Sequence, residues 1–134
     1  MTAITWLRIG AILGALGVIL GAFGAHGLKE RLDAYSLDIF ETAVRYQMYH
    51  VPALLAVGLL DVVGRGGFAL NLAGWSFTLG ILVFSGSLYL LSVLGSQYRW
   101  LGAITPIGGL FLIIGWVALA VAAGTAGRGI AVEV

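Results

Sequence analysis

From Leu70 to Leu94, and again from Leu101 to Ala123, the chain runs without one charged side chain. A helix rises about 1.5 Å per residue and the hydrocarbon core of a bilayer is about 30 Å thick, so about 20 apolar residues in a row suffice to cross it. Both stretches are that long. Lipid offers no partner for exposed peptide groups, which leaves the α-helix as the form such a stretch can take. Two more stretches reach the same length with interruptions: roughly 4–25, broken by Arg8, and roughly 38–63, polar in its first third. The expected fold is all-α, a four-helix integral membrane bundle. It forms a single transmembrane domain over residues 1–134, with helices roughly at 4–25, 38–63, 70–94 and 101–123.

Composition agrees. Only 10% of the 134 residues are charged and 60% are hydrophobic, whereas a soluble domain averages about 25% charged. So few charges cannot coat a water-facing surface of this size, and membrane lipid is the expected partner. A net charge of +1 supplies no basic field, so nucleic acid is not expected as a partner. With no Cys, disulfides, thiolate metal sites and Cys nucleophiles are excluded. Two His among scattered carboxylates have no metal-ligand spacing, and neither metal nor cofactor is expected.

Several residues mark the helix ends. Asp38 followed by Glu41 reads as a capping pair for the second helix, and Gly64-Arg65-Gly66-Gly67 reads as a turn. Thr105-Pro106 suits a helix start, where a missing N–H costs nothing, while Pro52 falls inside the second helix and should bend it. Arg8 sits within the first apolar run and no basic segment precedes it, so that run is expected to stay in the protein rather than act as a signal peptide. Trp6, Trp75, Trp100 and Tyr98 fall where interfacial aromatic belts form, and Trp116 does not. Arg8, Arg65 and Arg128 would share one membrane face, and Lys29, Arg31 and Arg99 the other, so basic-residue counts leave the orientation open.

Glycine is about twice as frequent as usual, 21 residues in all. On the first helix Gly10, Gly14, Gly17, Gly21 and Gly24 fall at alternating spacings of four and three, a groove along one face. Small residues recur on the third helix at Asn71, Gly74, Thr78, Ser85, Ser92 and Gly95, and on the fourth at Gly102, Gly108, Gly109 and Gly115. These are packing faces on which helices approach closely. Spacing leaves open whether they pack within one bundle or between subunits. Four short helices enclose little interior, so a homo-oligomer is expected.

Polar groups at bilayer depth cost several kcal/mol unless paired, about 3 or more for an ionised one. Thr42, Tyr46 and His50 share a face of the second helix, with Gln47 beside them. The apolar run after His50 is too short to span alone, so His50 and Gln47 must lie within the membrane, His50 about 10 Å below the boundary. The expected arrangement is one buried cluster in which His26, Gln47 and His50 bond to Ser85, Ser87 or Tyr89 and lock the helices together. A proton- or ligand-handling pocket around His26, Gln47 and His50 is the alternative, since His titrates near neutral pH. Catalysis ranks last. Ser85 and Ser87 lack a nucleophile-elbow context, and no Asp lies deep in a span.

At these residues the chain resembles a known family, the YgdD-like small membrane proteins, also called the transmembrane protein 256 family or domain of unknown function 423. The resemblance rests on Gly21-Ala-Phe-Gly-Ala-His-Gly-Leu-Lys29, Thr42-Ala-Val-Arg-Tyr-Gln-Met-Tyr-His50, Phe84-Ser-Gly-Ser-Leu-Tyr-Leu-Leu91 and Ile104-Thr-Pro-Ile-Gly-Gly109 with Gly115-Trp116, in that order. It implies four transmembrane helices in the bacterial cytoplasmic (inner) membrane, with both termini on the cytoplasmic side, and it implies no established activity. Carried over position by position, the family's polar signature falls on His26, Tyr46, Gln47, His50, Ser85, Ser87, Tyr89 and Thr105. The chain departs from the family at Val51-Pro52, where relatives continue Ala-Leu. Together these readings predict a non-enzymatic structural or interaction protein of the membrane, with an unidentified membrane protein as a possible further partner.

Overall fold

The computed structural model describes residues 2–126; Arg128, counted above in weighing orientation, lies outside them. Helix α1 (Ala3–Phe23) continues into a π-helical turn (Gly24–Leu28). It is followed by α2 (Ala34–Val62), α3 (Phe68–Leu94), a short 3-10 turn (Ser96–Tyr98) and α4 (Leu101–Ala126). The described residues form an all-α bundle with no strands. Three segments are long and apolar enough to cross a membrane: Ala3–Leu28, Phe68–Leu94 and Leu101–Gly124. Outward-facing residues such as Ile12, Val18 and Ile19 on α1 and Val117 and Val121 on α4 are well exposed, as suits a surface dissolved in lipid.

The glycine groove of α1 is filled from within the same chain. A Cβ built on Gly10 would lie 2.7 Å from Leu55, on Gly14 3.3 Å from Val51, on Gly21 3.3 Å from Val44, and on Gly24 2.9 Å from the Phe40 ring. One on Gly17 would meet the Met48 sulfur. At the other end Gly58 of α2 takes Leu7 of α1 at 2.7 Å. These pairs keep one antiparallel register along the whole of α1, with α2 side chains as knobs and α1 glycines as holes. The expected packing face is therefore an intrachain one. Helix α2, too polar in its first half to pass as a span by composition, nevertheless runs beside α1 from end to end.

Helix α3 packs on the other side of α2, and α4 packs on α3. Gly80 receives Leu112, Gly115 receives the Phe77 ring, and Gly108 lies against the Phe84 backbone. Buried Trp6, Leu54, Val57, Ala73, Phe77 and Ile81 belong to one continuous core.

Local chemistry sets the ends. Asp33, not Asp38, caps α2: its carboxylate accepts the Ser36 N–H at 2.8 Å, the usual N-cap bond to the third residue of a helix. At its far end α2 closes with a Schellman turn. Gly64 is left-handed (φ 77°), its N–H reaches the Asp61 carbonyl at 3.1 Å, and the Arg65 N–H reaches that of Leu60 at 2.9 Å. Pro52 lies inside α2 on the exposed outer side, and the helix runs unbroken through it. Pro106 likewise lies inside α4, which begins at Leu101. Trp6 is not an interfacial anchor. It is 1% exposed, sits over Gly74, where a Cβ would come within 2.7 Å of its ring, and meets Trp75 edge-on with centroids 5.6 Å apart.

Candidate functional site

Lipid cannot hydrate polar side chains, so each buried one in this bundle must find a partner inside it. Among the described residues no fully buried side-chain nitrogen or oxygen is left without one. The partners reveal what the polar residues do.

Gln47 is 3% exposed and uses both ends of its amide on different helices. Its Nε2 donates to the Leu13 carbonyl of α1 at 2.7 Å, and its Oε1 accepts from the Tyr89 hydroxyl of α3 at 2.9 Å. One side chain of α2 thus joins three helices. The Ser85 hydroxyl of α3 donates to the Ala43 carbonyl of α2 at 2.8 Å. Ser87 of α3 and Thr105 of α4 share a hydroxyl–hydroxyl bond of 2.7 Å; one of the two supplies its proton, and the other donates within its own helix, Ser87 to the Phe84 carbonyl or Thr105 to that of Leu101. The one expected cluster is therefore three separate interhelical pins: Gln47 with Leu13 and Tyr89, Ser85 with Ala43, and Ser87 with Thr105.

His50 belongs to none of them. Its Nδ1 lies 2.6 Å from the Tyr46 carbonyl of its own helix. A carbonyl only accepts, so Nδ1 carries a proton and donates it. The ring is enclosed by aromatics, with centroids 6.0 Å from Phe77, 6.0 Å from Trp116 and 6.2 Å from Tyr46. Tyr46 in turn stacks on Phe84 at 4.5 Å, so it takes part through its ring and its backbone carbonyl. Because its neighbour Val51 packs on Gly14, His50 lies near the middle of α1, about 20 Å by helical rise from the loop-side end.

His26 is not in the cluster either. It lies in the π-helical turn at the end of α1 and is exposed. Among the described residues no three His, Asp or Glu side chains converge as metal ligands would.

Several partners were not singled out by sequence. The Leu13 carbonyl and the Ala43 carbonyl are backbone acceptors, which no residue type marks. Phe77 and Trp116 stand beside His50, and Phe84 stacks on Tyr46. Trp6 lies one position off the groove spacing, on a stripe with Gly10, Leu13 and Gly17, and those four are the buried residues of α1.

Fold and interior together define an all-α membrane bundle held by glycine-into-knob packing and interhelical hydrogen bonds. A family model described as "Protein of unknown function (DUF423)" matches residues 20–109. The chain is similar to a UPF0382 membrane protein of Staphylococcus epidermidis, 48% identical over 120 residues that cover 87% of this chain and 95% of the relative. It is also similar to the UPF0382 membrane protein YwdK of Bacillus subtilis, 47% identical over 118 residues covering 88% and 94%. The chain belongs to the DUF423 family, as its motifs led one to expect. No solved structure matches it.

Proposed function

We propose that this chain is a non-catalytic structural or interaction protein of the bacterial cytoplasmic membrane, whose polar interior specifies how its helices assemble. The carrying observation is Gln47, whose amide is occupied by α1 on one side and α3 on the other. A side chain engaged at both ends by its neighbours positions helices. In this reading all four helices cross the bilayer, α2 by virtue of its full-length packing on α1, with both termini in the cytoplasm. The α1 groove is consumed by α2, so self-association uses the outer faces of the bundle, and the mass of the detergent-solubilised particle measures it.

One observation favours a second reading, a proton-handling module. Among the described residues His50 has no hydrogen bond at Nε2, and its ring is enclosed by Tyr46, Phe77 and Trp116. Replacing Gln47 and His50 separately with Leu discriminates the two. The structural reading expects Gln47→Leu to lower resistance to SDS by about 1 kcal/mol, two interhelical bonds at about 0.6 each, and His50→Leu to leave a folded protein with unchanged tryptophan emission at every pH. The proton-handling reading expects a pH-dependent change in Trp116 emission that His50→Leu abolishes. That result, with Gln47→Leu harmless, would overturn the structural proposal.

A further inference from the structure

At the face of the bundle opposite the termini, the start of α2, the end of α3 and the start of α4 enclose a cleft of about 350 Å³. Its walls include Asp33, Ser36, Ile39, Leu91, Ser96 and Arg99. This is at the lower end of the range for small-molecule sites, about 300–1,000 Å³. It suits a headgroup rather than a whole lipid.

The charges on its walls are arranged unusually. Asp33 is held in place by two bonds, from the Ser36 N–H at 2.8 Å and the Ser36 hydroxyl at 3.2 Å, one to each carboxylate oxygen. A carboxylate has about four acceptor positions, so a fixed anion with spare acceptors faces the cleft. Arg99, after the 3-10 turn, contributes a permanent cation with a fork of donors. Among the described residues neither makes an ion pair, with the other or with a third side chain; the partner of Asp33 is the neutral Ser36. One carboxylate and one guanidinium therefore stand apart across a shared space, over an apolar floor of Ile39 and Leu91. On the four-span reading proposed above this face lies at the membrane boundary: α1 ends here, and Tyr35 and Trp100, amphipathic rings of the kind that sit at headgroup depth, are exposed beside it at 74% and 60%.

We propose that this cleft binds the headgroup of an amine-bearing zwitterionic phospholipid, phosphatidylethanolamine in type. Arg99 takes the phosphate, Asp33 takes the primary ammonium, and the Ile39–Leu91 floor meets the start of the acyl region. A purely anionic headgroup satisfies Arg99 but is repelled by Asp33. A choline headgroup carries the cation without N–H donors, so it cannot bond to Asp33.

Native mass spectrometry of the full chain in mild detergent tests the assignment. The protein is offered an equimolar mixture of phosphatidylethanolamine, phosphatidylcholine and phosphatidylglycerol with the same acyl chains. Wild type should retain one ethanolamine lipid in preference to the others. Asp33→Asn still caps α2, because Asn is an equally good N-cap, yet it should lose most of that preference, about tenfold for one charge-assisted bond. Arg99→Gln should weaken retention of all three lipids by a similar factor. Circular dichroism checks that each variant keeps its helices. Equal retention of ethanolamine and choline lipids by wild type overturns the proposal, and this result needs no variant. So does an Asp33→Asn protein that keeps the full preference. Binding of soluble phosphoethanolamine without retention of any lipid would assign the cleft to a free zwitterion and overturn the lipid assignment.

Discussion

Two neighbouring glycines on α4 should respond to the same substitution with opposite results. A methyl group on Gly108 would collide with the Phe84 nitrogen and lie 2.7 Å from its Cα. Carbon contacts are comfortable at about 3.5–4.0 Å. These are backbone atoms of α3, so no rotamer change relieves the clash, and the two helices must part by about 1 Å or tilt. Gly109, one residue on, faces the edge of the Phe84 ring, where a methyl would sit at 3.7 and 3.8 Å in ordinary contact. Both substitutions gain the same helix propensity, at most about 1 kcal/mol, so the difference between them isolates the packing cost. Overpacking of a tight contact costs about 1–3 kcal/mol, and Gly108→Ala should be the less stable by about 2 kcal/mol. The assay is SDS titration in mild detergent followed by tryptophan emission, since Trp116 packs edge-on against Phe77 across the α3–α4 contact, with centroids 5.3 Å apart. Equal stability of the two variants, or a more stable Gly108→Ala, would refute the close approach of α4 to α3.

Three further outcomes are expected. Gly74→Ala should displace the Trp6 ring, whose atoms lie 2.7–2.8 Å from the new methyl; Trp6→Phe should restore part of the loss in the double variant, and no recovery would mean that Trp6 does not fill that hollow. Ser87→Ala and Thr105→Val should each cost about 0.6 kcal/mol in the same titration, and together little more than either alone, because they remove one shared bond; strict additivity would count against the Ser87–Thr105 pin. Because the chain has no cysteine, single-cysteine labelling reports sidedness directly. Ser96→Cys should react with a membrane-impermeant maleimide in intact cells and Phe68→Cys only after permeabilisation, whereas the reverse pattern would place the termini outside.

Much of the fold was legible because lipid makes unusually strict demands. Charge-free runs identified α3 and α4, and the recurrence of glycine marked the face of α1 that α2 fills. The start of α2 was not legible from apolarity, since its first turns are polar and carry no hydropathy signal. Asp38 with Glu41 read as the capping pair, and it is the bond to Ser36 that marks Asp33 as the cap instead. The polar residues were found by their burial cost, but their grouping was not. A shared face of α2 says nothing about which neighbour receives each side chain, and α2 lies between α1 and α3. Gln47 therefore reaches to both, Ser85 reaches back to a backbone carbonyl, and His50 turns to its own helix. His26 was grouped with them by closeness to the membrane boundary, but the π-helical turn carries it to the surface.

The central claim is that the polar interior joins helices, and a double-mutant cycle between Gln47→Leu and Tyr89→Phe tests it most directly. The two side chains meet at 2.9 Å from different helices. The cycle should yield a coupling of about 0.6–1.7 kcal/mol against SDS unfolding, the range found for interhelical hydrogen bonds in membranes. A coupling indistinguishable from zero, with Gln47→Leu as stable as wild type, would contradict it.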